Sequence, residues 1–363
     1  MQFIDLKSQY KAYQTEIDAR MRKVLAHGQY IMGPEITEME SALADFVGVK
    51  NCISNTSGTD SLEIALRAFD IGPGDEVITV PFTWISTAET IGLVGAKPVF
   101  VDIEADSYNI NVDQIEAAIT PKTKAIMPVS LFGQMPDYDR INAIANKHGL
   151  QVIEDGAQSF GATRHGKYSC GVTHVGSTSF FPAKPLGCYG DGGALFTNDD
   201  VLADKMRSIR NHGGPRRHYH PFLGMNGRFD TIQAAVILGK LPHFKREIEE
   251  RARIGARYTD ALRSVCVVPE VMPGNTHVYA QYTIRVPDRD GLGEKLKAEG
   301  IPTAVYYPKC LHEQPVFAHC GRKLGDLPVS EKMSREVISL PMSPFLSKED
   351  QDKVIEAIKN ASK

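Results

Sequence analysis

The chain has 363 residues, with 41 Lys and Arg against 44 Asp and Glu for a formal charge of −3; that length suits one large domain plus a smaller one, and so even a charge offers no field for nucleic acid or a membrane surface. The six cysteines are scattered, without a CxxC pair or zinc spacing, which argues against a disulfide framework or metal site and reads as reduced cytosolic thiols. Met1-Gln-Phe-Ile-Asp-Leu-Lys7 lacks the basic start and apolar stretch of an export signal, and no apolar run approaches a membrane span, so a cytoplasmic protein is expected.

Residues 8–26 carry Tyr10, Tyr13, Ile17, Met21, Val24 and Leu25 at three- and four-residue steps, a helical pattern. The turn Gly28-Gln-Tyr30-Ile-Met-Gly-Pro34 ends it, and 35–47 is again helical. A short strand at 52–55 leads into Thr56-Ser57-Gly58-Thr59, which opens a helix with Leu62, Ala65, Leu66 and Phe69 on its apolar face. Small hydroxyl residues there serve either as a plain N-cap or as a phosphate cradle, because free N–H groups and the helix dipole converge at that point. Strands at 76–80, 97–102, 124–130 and 152–155 then alternate with helices at 87–94, 112–119 and 138–148, which predicts an α/β domain around a mainly parallel sheet with helices on both faces. Ligands gather at the carboxyl ends of such strands. Thr56 to Thr59, Pro81-Phe-Thr-Trp84-Ile-Ser86 and Asp155-Gly-Ala-Gln158 all fall at such ends.

Next comes Ser179-Phe-Phe-Pro-Ala-Lys184-Pro-Leu-Gly187, followed by a glycine-rich turn and the apolar run Ala194-Leu-Phe-Thr197. This reads as strand, loop, strand, with an ammonium group on the loop. Gly187, Gly190, Gly192 and Gly193 are expected to permit close approach and to supply positive φ. Desolvation there would lower the pKa of Lys184 and make it a usable nucleophile or base. Helical patterns follow at 201–209, 230–241 and 244–265, with a basic loop containing Arg216-Arg217-His218 between the first two. That loop is either a diphosphate grip or simply solvated. Leu241-Pro242 marks the expected boundary between a large domain (1–241) and a small α+β domain (242–363). In the latter, 279–286 and 302–306 look strand-like, and Ser347 and Asp350 form a capping box for a last helix.

A loop lysine, an acid ending a buried strand, a hydroxyl-rich helix start and an aromatic at another strand end form a set that pyridoxal phosphate asks for. Its aldehyde needs a lysine for the Schiff base, its pyridinium nitrogen a carboxylate, its phosphate a helix N-terminus and its ring an aromatic face. Lys184, Asp155, Ser57-Gly58-Thr59 and Trp84 match those needs. A buried core position is the competing account of Trp84.

Six motifs carry a resemblance over nearly the whole chain: Gly33-Pro-Glu35, Ser57-Gly-Thr59, Gly72-Pro-Gly-Asp-Glu-Val77, Glu154-Asp-Gly-Ala-Gln-Ser159, Ser179-Phe-Phe-Pro-Ala-Lys-Pro-Leu-Gly187 and Asn226-Gly-Arg-Phe-Asp-Thr-Ile-Gln-Ala-Ala235. In this set and order the chain resembles the sugar aminotransferases of the DegT/DnrJ/EryC1/StrS family. Within it the chain resembles the WbpE/WlbC-type group, which aminates UDP-2-acetamido-2-deoxy-3-keto-glucuronate for surface polysaccharides. The resemblance implies the PLP fold type I (aspartate aminotransferase-like) architecture, L-glutamate as amino donor and a UDP-linked keto sugar as acceptor. It implies that Lys184 carries the cofactor as a Schiff base and shuttles the proton. Asp155 would pair with the pyridinium nitrogen, Gln158 would lie near the ring hydroxyl and Trp84 would stack on the ring. Gly58, Thr59 and Ser179 would hold the phosphate. Asn226 would reach it from the neighbouring subunit, making the active site a property of a homodimer.

Arg228 would meet an acidic substrate group, with a helix-start salt bridge as its alternative. Tyr30, Tyr306 and Tyr307 would line the sugar pocket, and Tyr306-Tyr307 stands where relatives have a histidine-tyrosine pair. Lys184 argues against the family's dehydratases, which carry histidine there. Other readings are the same chemistry on another dTDP- or UDP-linked 3- or 4-keto hexose, a catalytically silent cofactor-binding regulator, and a colourless scaffold.

Overall fold

A computed structural model describes residues 1–361. Helices α1 (Leu6–His27) and α2 (Pro34–Val47) precede β1 (Asn51–Asn55), α3 (Gly58–Ala68), β2 (Glu76–Thr79), α4 (Ser86–Leu93), β3 (Lys97–Phe100), β4 (Thr123–Ile126), α5 (Tyr138–His148) and β5 (Gln151–Asp155). A small hairpin, β6 (Thr163–Arg164) and β7 (Lys167–Tyr168), leads to β8 (Val175–Ser179) and β9 (Gly193–Thr197). Then come α6 (Asp200–Arg210), α7 (Thr231–Lys240), α8 (Phe244–Leu262), β10 (Tyr282–Arg285), α9 (Arg289–Ala298), α10 (Pro328–Glu336), β11 (Val337–Leu340) and α11 (Lys348–Ala361).

Seven strands form one sheet in the order β1-β9-β8-β5-β4-β2-β3. Only β9 runs against the others, since it pairs antiparallel with both β1 and β8 while the remaining pairs are parallel. The carboxyl ends of β1, β2, β5 and β8 therefore share one edge of the sheet. Alternate side chains enter different cores, as the two-residue period of a strand requires. Ile53, Val77, Ala125, Ile153 and Leu195 pack with Leu62, Ile91 and Met206 from α3, α4 and α6. Their neighbours Ile78, Ile126 and Val152 pack with Tyr138 and Ile141 of α5, while Cys52 and Phe196 meet Met39, Val236 and Ile237 of α2 and α7. Strands covered on both faces read as continuous apolar runs.

Helix α8 joins this body to a second core. Phe244, at its start, lies 5.8 Å from the Phe160 ring, whereas Ile254, Tyr258 and Leu262 pack with Ile284, Leu296, Ile338 and Ile358. One arm of the expected capping box starts the last helix, with Asp350 N donating to Ser347 Oγ at 3.0 Å. Among the described residues no helix is long and apolar enough to cross a membrane.

Three local expectations are corrected. Residues 112–119 form two short 3-10 turns, Val112–Gln114 and Glu116–Ala118, not an α-helix. Residues 302–306 are not a strand. Only Ala304 bridges, to Ser339, and the chain then turns between Pro302 and Pro308 to present Tyr307 to the sheet edge. None of Gly187, Gly190, Gly192 and Gly193 takes a positive φ. Close packing explains them instead: a Cβ on Gly193 would stand 2.4 Å from the Ser57 carbonyl oxygen.

Candidate active site

Asp155 ends β5 and Lys184 follows β8, so the parallel pairing of those strands brings both to the same sheet edge. Asp155 is buried, and its carboxylate accepts from Thr87 Oγ1 at 2.7 Å and Ala157 N at 3.2 Å. It forms no ion pair within 4.0 Å among the described residues. Burial pushes its pKa up, opposed by the Thr87 and Ala157 hydrogen bonds and the charge of Lys184. Burial pushes Lys184 down, opposed by Asp155, as anticipated for a lysine on this loop. Glu154 points to the other side of the strand and takes Ser130 Oγ, Ser169 Oγ and Cys170 N, so the second acid of that motif is structural.

The start of α3 serves both suggested purposes. Ser57 is its N-cap, accepting from Asp60 N at 3.0 Å. The N–H groups of Gly58 and Thr59 have no acceptor among the described residues, and they project from a helix N-terminus, where the dipole favours an anion. A Cβ on Gly58 would lie 2.7 Å from the Ser179 Cβ, so glycine is what lets the helix start touch the end of β8. Thr59 Oγ1 shares a 2.7 Å hydrogen bond with Ser86 Oγ.

Trp84 is 59% exposed, which rules out a core role for it. Its ring centroid lies 6.4 Å from that of Tyr307. The Tyr307 hydroxyl accepts from Gln158 Nε2 at 3.0 Å, and Gln158 Oε1 accepts from Phe132 N at 2.9 Å. Gln158 is therefore held by the protein on both ends of its amide. Burial raises the pKa of both Tyr306 and Tyr307, and Tyr306 packs against Phe3 at 6.3 Å.

Asn226, Arg228 and Tyr30 lie on adjoining strips of chain. Thr56 N donates to Gly227 O at 3.1 Å, and Thr231 N to Tyr30 O at 2.9 Å. Asn226 and Tyr30 are exposed, and neither side chain hydrogen-bonds to Lys184, Asp155 or Trp84 among the described residues. Arg228 has no ion pair among the described residues, and its Nε is buried without a partner. The helix-start salt bridge is therefore not formed. In the basic loop, Arg216 rests 5.0 Å from the Tyr219 ring.

Sequence reasoning missed Thr87 and Ser86, which tie α4 to Asp155 and Thr59. Each is a small hydroxyl residue in the first turn of a helix after a strand end, a position that the capping pattern of α3 had already shown to matter.

The model for the DegT/DnrJ/EryC1/StrS aminotransferase family matches residues 11–359. The chain is 54% identical, over 95% of its length and 96% of the relative's, to UDP-2-acetamido-2-deoxy-3-oxo-D-glucuronate aminotransferase of Pseudomonas aeruginosa. A DegT DnrJ EryC1 StrS aminotransferase from Brucella abortus superimposes with a TM-score of 0.97 at 49% identity, covering 100% of this chain and 99% of that one. The ntda protein of Bacillus subtilis, solved with bound cofactor PMP, gives 0.90 at 32% identity, covering 96% of this chain and 82% of that one. The doubly covered, mainly parallel sheet is thus the fold type I aminotransferase architecture. The chain belongs to the DegT/DnrJ/EryC1/StrS aminotransferase family.

Proposed function

We propose that this protein is a pyridoxal-phosphate-dependent aminotransferase that moves the amino group of L-glutamate to the 3-keto carbon of a UDP-linked sugar. The acceptor is UDP-2-acetamido-2-deoxy-3-keto-glucuronate, and the setting is cytoplasmic synthesis of surface polysaccharide such as O-antigen. The observation that carries this reading is Lys184 with a depressed pKa facing Asp155, a buried carboxylate that has donors but no cation bonded to it. Asp155 would hold a pyridinium nitrogen as its cationic partner. The remaining features fit the same group: the two uncommitted N–H groups at the start of α3 suit a phosphate, and the exposed Trp84 ring suits an aromatic face. When bound, pyridoxal phosphate supplies an aldehyde to carry the amino group and a ring to take up the electron pair of a broken C–H bond.

The chain's own residues do the rest. Asp155 holds its partner nitrogen protonated, and Gly58, Thr59 and Ser179 fix the phosphate. Lys184 Nζ is the base that takes the proton from the amino-bearing carbon of the donor, a task helped by the lowering of its pKa by burial. Arg228 meets the carboxylate of the donor or of the uronate, because its buried Nε lacks a protein acceptor. Tyr30, Tyr306 and Tyr307 border the sugar. The functional unit is a homodimer, with Asn226 completing the phosphate site of its partner.

A visible absorbance spectrum, taken before and after glutamate and then after candidate keto-sugar nucleotides, tests this. The expected result is a band lost with glutamate and restored by the 3-keto-glucuronate nucleotide. Restoration only by a neutral 4-keto sugar would keep the enzyme class and move the substrate. A protein that stays colourless after adding pyridoxal phosphate would overturn the reading. Lys184→Ala should retain cofactor without a covalent link and fail to turn over.

A further inference from the structure

A second lysine lies beneath the loop that carries the first. Lys240 is the last residue of α7 and is only 2% exposed. Its Nζ donates to the carbonyl oxygen of Gly187 at 2.6 Å and sits 4.3 Å from the Tyr189 ring centroid. Gly187 lies three residues beyond Lys184. The loop is closed on itself: Phe180 N donates to Gly192 O at 2.7 Å, Cys188 N to Phe180 O at 2.8 Å and Lys184 N to Phe181 O at 2.8 Å. A Cβ on Gly187 would stand 2.5 Å from the Pro182 carbonyl oxygen, so its two limbs are in direct contact. From outside, α7 grips the far limb at two points, with Gln233 Oε1 taking Tyr189 N at 2.8 Å and Lys240 taking Gly187.

Stability does not explain a cation here. Burying an ammonium is costly, and an apolar isostere at such a position is often neutral or stabilising. Lys240 has no ion pair within 4.0 Å among the described residues, and its hydrogen-bond acceptor is the loop carbonyl. The charged and titratable groups facing it are Glu247 of α8 and Cys188 and Tyr189 of the loop. Glu247 is itself buried and takes both bonds from Gln9 Nε2 of α1, at 2.9 and 3.0 Å. Arg251, one turn further along α8, donates to Tyr279 O at 3.0 Å.

We propose that Lys240 is a positioning residue for the transamination: its ammonium anchors Gly187 and thereby sets where Lys184 stands relative to Asp155. The inference rests on the reading of Lys184 as the cofactor-bearing lysine. Burial, opposed by Glu247 and Cys188, brings Lys240 down to about 8, so the anchor weakens as the solution passes that pH.

The test compares Lys240→Met with wild-type holoenzyme by hydrogen exchange of the peptide spanning 181–190, by steady-state kinetics and by thermal melting. Exchange in that peptide should rise at least about tenfold, with β5 and β8 unchanged, as expected for loss of a charge-assisted hydrogen bond. The kcat should fall about 10- to 100-fold, as for a misplaced reacting group, while KM for glutamate stays within about twofold. Wild-type loop protection, corrected for intrinsic exchange, should drop as pH rises through about 8. That series needs no variant and stands even if Lys240→Met fails to fold. Wild-type loop exchange and kcat in Lys240→Met, a rise in exchange spread over the whole molecule, or a flat wild-type pH series would each overturn the proposal. If Lys184→Ala kept the lysine-linked absorbance band, the reading of Lys184 itself would fail instead.

Discussion

At the residue scale, Asp155 is held between opposed forces. Burial pushes its pKa up, and the Thr87 hydroxyl is the leading influence that pulls it back down. Ionised Asp155 is the useful form, so activity that depends on it is present above its pKa and is lost as pH falls through it. Thr87→Val removes the 2.7 Å hydrogen bond while keeping the volume. The acid limb of the kcat/KM profile should move upward by about one pH unit, the equivalent of one hydrogen bond to a charged group. An unmoved acid limb would mean that Thr87 does not tune the carboxylate. The contrast with Trp84 shows what single residues disclose. A lone tryptophan after a strand end was a natural candidate for a ring-stacking surface, and it proved exposed rather than part of the core. Nothing in the immediate neighbours of Thr87 says that it faces residue 155 across the sheet. That contact exists because β2 and β5, separated by β4, end at the same edge.

At the element scale, the contact between α3 and β8 has the least room. Gly58→Ala would place a methyl group 2.7 Å from the Ser179 Cβ, and both partners are backbone-proximal, so neither can swing away. Its φ is not in the left-handed region, so the whole effect is steric. The helix start must retreat from the strand end at a cost of about 1–3 kcal/mol. Titration of apoprotein with pyridoxal phosphate should show at least about tenfold weaker binding, because the freed N–H groups no longer converge on one point. Wild-type affinity would remove α3 from the phosphate site. The element pattern was readable where apolar periodicity and turn residues agree, as in α1, α5 and the strands from β1 to β5. It failed at 112–119, where the buried Val112 and Ile115 stand three residues apart, a spacing that 3-10 turns satisfy as well as an α-helix does. β11 went unread because a buried run as short as Val337-Ile-Ser-Leu340 fits a strand or a helical turn equally well. Its identity comes from pairing with β10, a contact between residues far apart in sequence.

At the scale of the whole molecule, the cross-subunit role of Asn226 makes a prediction that separates it from a role within one chain. Thr56 N donates to Gly227 O within one chain, so the backbone beside Asn226 also lies near its own α3 start. Against this, Asn226 is exposed, and so are Leu25 at 56%, Ile31 at 51%, Phe181 at 50% and Leu223 at 89%. Exposed apolar side chains are covered by a partner where they adjoin in one patch. A two-fold dimer brings the same patch of each subunit together, and that arrangement lets Asn226 cross over. Mixing subunits decides between the two. Lys184→Ala and Asn226→Ala should each be inactive as homodimers. In a mixed dimer with shared sites, one site collects both lesions, and the other pairs an intact Lys184 with an intact Asn226. Random exchange of equal amounts should then restore about a quarter of wild-type activity per subunit, since half the dimers are mixed and each has one working site. If Asn226 acts within its own chain, every site in the mixture carries one lesion and activity stays at the level of the mutants. Exchange is verified independently with differently tagged subunits, so a silent mixture containing tagged heterodimers would assign Asn226 to its own active site and leave the dimer without a catalytic role.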